Sequence, residues 1–125
     1  MVTHWLLSTL LTINTLLMSR DEVLELYLKA INKCAAFEMK GKTMPYTSVN
    51  GHMFSQVNKQ DQLGIRFSKE RQLEYLTEWA SDYFYSYGAK MKGYVRVPES
   101  VLKNTERLAN VLQESFEYFS ELEAK

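Results

Sequence analysis

The sequence predicts an α+β domain: an antiparallel sheet of about four strands packed by helices, in the order α-β-β-β-α-β-α. Three observations carry this expectation. Apolar residues recur at helical spacing in three separate segments. Asn50-Gly51 sits between two strand-like runs, and both residues tolerate the positive φ of a tight hairpin turn. "LGIRF" and "KMKGYVRV" alternate apolar and polar positions as half-buried strands do. Three consecutive strands joined by short turns favour an antiparallel meander with helices over one face.

Each element has a local reason. Ser19 and Glu22 fit a capping box, and Val23, Leu24, Leu26, Tyr27, Ala30, Ile31, Cys34 and Phe37 follow at helical spacing. This first helix is expected to run to about Met39 and stop at Gly41. Strands are expected over about 43–49 and 52–58, with Pro45 placing the first at an edge or a strand start. In "LGIRF", Leu63, Ile65 and Phe67 take one face, and Gly64 and Arg66 the other. Ser68 caps a second helix, "KERQLEYLTEWASDYF", with Leu73, Leu76, Trp79 and Ala80 inward, and residues 90–97 make the fourth strand. Pro98 opens a short helical turn. Asn104 or Thr105 caps a last helix in which Leu108, Val111, Leu112, Ser115, Phe116 and Phe119 keep helical spacing.

At 125 residues the chain has room for one core. Lysines and arginines total 15 and acids total 15, so the basic excess that usually accompanies nucleic-acid binding is missing. Cys34 is the one cysteine, which suits a reducing compartment and a cytoplasmic location. His4 and His52 stand alone, without a second His or Cys at metal-ligand spacing, and no cofactor motif is found.

Gly41-Lys42-Thr43 resembles the end of a phosphate-binding loop. Such a loop needs a glycine five residues before that Gly-Lys pair, between a strand and a helix, so that backbone amides and a helix N-terminus face the phosphates. Ala36 holds that position inside a helical pattern, and Pro45 leads into a hairpin. The string reads as a helix stop followed by an edge strand.

Residues 1–17 differ from the domain at 18–125. "VTHWLLSTLLTINTLLM" carries no formal charge, yet it is short for a membrane span and interrupted by polar residues. It lacks the basic start and small-residue cleavage site of a secretory signal. The reading preferred here is a dispensable or non-native extension, with translation starting at Met18. A membrane-associating segment and a cleaved signal are the alternatives, so a membrane partner is expected only if the segment is retained.

An N-terminal helix, then "NGHMFSQV", "LGIRFS" and the ending "MKGYVRVPESVL", together resemble the N-terminal domain of TfoX/Sxy proteins over roughly residues 19–122. "YVRVPESVL" is the most specific part. Thr43-Met44-Pro45-Tyr46-Thr47 departs from the glycine-rich stretch common there, and the second domain of the full-length competence regulators is lacking. The resemblance is to the stand-alone form. It implies an antiparallel sheet with flanking helices in a bacterial cytoplasmic protein, with a regulatory role linked to competence or transcription. It brings no catalytic residues.

Three kinds of site are weighed. For nucleic acid, Lys90, Lys92, Tyr94 and Arg96 offer phosphate contacts and a π-face, with Lys92, Tyr94 and Arg96 on one strand face. A solvated lysine surface around packed aromatics is the favoured reading, and the same holds for Lys29, Lys33, Lys40 and Lys42. For an enzyme, His52 near Thr47, Ser48, Ser55 and Glu38 identifies no triad. For an interaction module, Pro45 and Tyr46 on the edge strand and Phe116, Tyr118 and Phe119 on the last helix make a candidate interface. The leading expectation is a non-enzymatic regulatory or interaction module that self-associates or binds a protein partner. The alternative is weak nucleic-acid binding through a basic–aromatic strand face.

Overall fold

The computed structural model describes residues 18–125, so the expectations for residues 1–17 fall outside it. Helix α1 spans Arg20–Cys34, and its capping box is formed: Ser19 Oγ accepts from Glu22 N, while the Glu22 carboxylate accepts from Ser19 N. The helix ends earlier than its apolar spacing predicts. Ala35 turns left-handed, and the chain loops back until Lys40 and Tyr46 exchange backbone hydrogen bonds. Phe37 thereby meets Phe116 in a stack at 5.2 Å and Phe54 edge-on at 5.1 Å. Aromatic packing and this first bridge replace the last helical turn.

Strand β1 (Tyr46–Val49) and β2 (His52–Val57) flank the Asn50-Gly51 turn as expected, and Pro45 precedes the edge strand. Strand β3 (Leu63–Arg66) follows a turn tied by Asn58, whose Oδ1 accepts from the amides of Gln60 and Gln62. Ser68 caps α2 (Lys69–Glu78), accepting from Arg71 N. That helix does not continue through Phe84. Ala80 takes a left-handed conformation and Ser81 N returns to the Leu76 carbonyl, which closes the helix. Tyr83–Ser86 then forms β4, an additional strand, paired with β5 (Ala89–Arg96) across Tyr87-Gly88. A short helix α3 (Glu99–Leu102) and α4 (Thr105–Ser120), capped by Asn104, complete the chain.

The architecture is α+β, with five antiparallel strands in the order β1-β2-β3-β5-β4. Helices α1 and α4 cover one face. Val57, Leu63, Ile65, Val95 and Val97 meet Val23, Tyr27, Ala30, Ile31, Leu108, Val111 and Leu112 in the main core. Beneath α1, the Tyr27 and Ser55 hydroxyls bond at 2.6 Å and Ser55 bonds Thr47, so the polar groups on this face are paired.

The sheet covers its own second face by curling. Gly93, at φ 84, sits in a bulge that shifts the β4–β5 register between Tyr83 and Tyr85. The hairpin thereby folds back over β2 and β3. Asn58 Nδ2 donates to the Tyr85 carbonyl at 2.7 Å, Gln56 Nε2 donates to the Tyr87 hydroxyl at 2.7 Å, and the Phe84 ring lies on Gly64.

Candidate functional site

The bulge at Gly93 also disperses the basic–aromatic strand face expected from alternation. Tyr94 is 3% exposed: its ring stacks on Phe84 at 5.6 Å and its hydroxyl donates to the Met53 carbonyl. It offers no free π-face to a base. Desolvation pushes its hydroxyl pKa well above the usual tyrosine value. Arg96 is half-buried beside a different cavity, of about 300 Å³, with Asp61 and Glu99 in its lining. Lys90 and Lys92 remain exposed.

The aromatic interface expected from α4 is corrected in the same way. Phe119 is 2% exposed, Phe116 is half-buried between Phe37 and Phe54, Pro45 is buried and Tyr46 half-buried. Phe37, in the irregular chain between α1 and β1, covers Phe116 of the last helix. Tyr118 alone of that set points outward, at 44% exposure.

What the fold does assemble is a groove of about 550 Å³ between α2, the β4–β5 hairpin and the C-terminal end of α4. Helix α2 supplies Lys69 and Leu73, the hairpin Lys90, Met91 and Lys92, and α4 Tyr118, with Leu122 following just past the end of α4. Arg66 completes the cationic set at the end of β3. Arg66, Lys69, Lys90 and Lys92 therefore line one cleft that contains no carboxylate. Two of the cations are held by rings: Arg66 lies over Phe119 at 4.6 Å, and Lys90 over Tyr83 at 4.3 Å. Leu73, Tyr118 and Leu122 are three of the six exposed large apolar side chains among the described residues. Scattered exposed leucines are ordinary, whereas their gathering beside an unneutralised cation row is not.

A second, smaller cleft of about 260 Å³ adjoins it between α2 and α4, lined in part by Arg71, Glu114 and Tyr118. Arg71 grips Glu114 through two bonds of 3.0 Å and also holds Glu74 at 2.6 Å. Arg71 Nη2 donates to the Tyr75 hydroxyl, which donates to Glu114 Oε1 at 2.6 Å. Desolvation works to raise the Glu114 carboxyl, but the Arg71 and Tyr75 hydrogen bonds outweigh it and hold it below its ordinary value. Burial pushes Tyr75 up to about 12. Every strong donor and acceptor here has a partner, so the cluster locks α2 to α4 and leaves the groove beside it as the open site.

The remaining candidates have structural occupations. His52 Nε2 is 2.8 Å from the Glu123 carbonyl, and Ser55 and Thr47 are buried beneath Tyr27. Cys34 Sγ donates to the carbonyls of Ala30 and Ala109, and burial pushes its thiol pKa up. Among the described residues no group of three His, Cys, Asp or Glu is placed to hold a metal, and no helix is long and apolar enough to cross a membrane. Lys29, Lys33, Lys40 and Lys42 are all solvent-exposed. Comparison with known protein families, with curated proteins and with solved structures finds no match.

Sequence reasoning missed Arg66, Lys69 and Leu122 as site residues, and it placed Leu73 on the inward stripe of the second helix, whereas Leu73 is 55% exposed. No local pattern marks them, because they come from elements separated in the chain.

Proposed function

We propose that this chain is a non-enzymatic regulatory or interaction module that works by self-association. One observation carries the reading: half of the exposed large apolar side chains of the described residues converge with four cations in one cleft. An apolar surface of that kind gains about 25 cal/mol for each Å² that a partner covers. The cations raise the on-rate and set the orientation of a partner of opposite charge. The resemblance of "YVRVPESVL" and its neighbours to the stand-alone TfoX N-terminal domain supports a bacterial regulatory role of this type, linked to competence or transcription. The lone half-buried cysteine supports a cytoplasmic setting.

The test is the mass of the full chain in solution by sedimentation equilibrium at tens of micromolar. A dimer is expected. A monomer at all concentrations reached would discard the self-associating module.

A second reading keeps the cations and changes the partner. Lys69, Lys90, Lys92 and Arg66 in one carboxylate-free cleft also suit the phosphates of a single strand. The stacking surface is poor, because Tyr94 is buried and Lys90 already covers Tyr83. Anisotropy of labelled single-stranded and duplex DNA at low and physiological salt distinguishes the two. Steeply salt-dependent binding, lost in a Lys90→Ala/Lys92→Ala variant, favours nucleic acid.

A further inference from the structure

The surface around the groove carries exposed charges of both signs beside an apolar stripe. Tyr118, in the last turn of α4, and Leu122, just beyond the end of that helix, line the groove. Glu117 on α4 and Glu121 at its C-cap are both exposed, and helical geometry puts Glu117 on the side of Tyr118 away from the core residues Ser115 and Phe119. The patch thus has an apolar centre, a basic rim on the β4–β5 hairpin at Lys90 and Lys92, and an acidic rim on α4. Two such patches set face to face on a two-fold axis between the rims would bring the basic edge of one to the acidic edge of the other.

We infer that two copies of this chain pair isologously across the groove, with Lys90 and Lys92 of each facing Glu117 and Glu121 of the other and the Tyr118–Leu122 stripes packed at the axis. This inference rests on the self-association proposed above and adds its surface and symmetry. A closed two-fold contact of this kind buries both apolar stripes and leaves neither rim unpaired, so assembly stops at the dimer. The alternating rims also set a single orientation, since any other rotation places like charges together.

Charge-reversal variants of the full chain test it by sedimentation, with circular dichroism confirming that each is folded. Lys90→Glu/Lys92→Glu makes both rims acidic, and Glu117→Lys/Glu121→Lys makes both basic. Each variant alone is expected to dimerise at least about tenfold more weakly than the parent, because two symmetry-related sets of pairs become repulsive. An equimolar mixture is expected to recover the parent dimer as a heterodimer, which a misfolded variant would fail to do. Dimerisation of the parent that survives both reversals unchanged would overturn this pairing and leave self-association standing through another surface. A monomeric parent would remove both. Variants that lose dimerisation without recovery on mixing, or a groove engaged by single-stranded DNA while the protein stays monomeric, would also overturn it.

Discussion

The ring of Phe84 lies flat against the backbone of Gly64, so close that a Cβ at position 64 would stand 2.4 Å from its Cγ. This contact is the point at which the β4–β5 hairpin seats on the second face of the sheet. Gly64→Ala should therefore destabilise the domain by about 1–3 kcal/mol, the usual range for overpacking. Urea unfolding measures it, and pairing the change with Phe84→Leu should return part of the loss. Additive losses in the double variant would contradict the contact.

Gln56 is 1% exposed, and its Nε2 is held by the Tyr87 hydroxyl at 2.7 Å while its Oε1 has no partner. Removing that hydroxyl leaves the amide only a weak bond to Met53 Sδ at 3.8 Å. Tyr87→Phe is expected to cost about 1–3 kcal/mol although Tyr87 is largely exposed. Adding Gln56→Met removes the buried amide and should recover most of the loss. Denaturant midpoints of the two variants decide the matter.

Tyr27, Tyr75 and Tyr94 each have a pKa raised above the ordinary value of 10.0, with burial the largest cause. A raised acid pKa means the folded state keeps a proton that the unfolded state loses. Their contribution is intact below pH 10.0 and is lost as pH rises toward the folded values. Stability should fall above that pH by up to about 4 kcal/mol per unit, since each of the three groups can supply roughly 1.4. Tyr94→Phe should reduce the slope by about a third. Urea titrations stepped upward through this range provide the measurement, and a flat profile would refute the burial of these hydroxyls.

Glu114 shows the opposite linkage. Its carboxyl lies below the ordinary 4.5, so its stabilisation is present above that value and disappears as pH falls through the depressed one. Arg71 and Glu114 are 40% and 36% exposed, so screening limits the ion pair to about 1 kcal/mol. Glu114→Gln should lower stability by about that amount at neutral pH. The difference from the parent should close on acidification below 4.5. A gap that persists in acid would assign the loss to packing.

Two hairpin turns show what the chain reveals locally and what it hides. Asn50-Gly51 is legible because both residues tolerate positive φ. Tyr87-Gly88 makes a turn with the same signs of φ, at 54° and 73°, but a tyrosine at the first position carries no such signal and costs about 1–2 kcal/mol there. Only the second arm of this hairpin is legible as a strand, because the helical pattern of "KERQLEYLTEWASDYF" runs on through Tyr83 and Phe84 with no glycine or proline to stop it. Phe37 hid in the same manner: its spacing continues α1, while its packing partners Phe54 and Phe116 lie far along the chain.

By itself the sequence determined the α+β class, the three capped helices, the Asn50-Gly51 hairpin and the apolar face of β3. These depend on interactions within a few residues, where capping, turn chemistry and periodicity act directly. The position of the groove depends on the tertiary structure. Lys69, Lys90 and Tyr118 come from three elements separated in the chain, and they meet because a bulge at Gly93 and a close approach at Gly64 curl the hairpin back over the sheet. The same curling buried Tyr94, which alternation alone had placed on an exposed face.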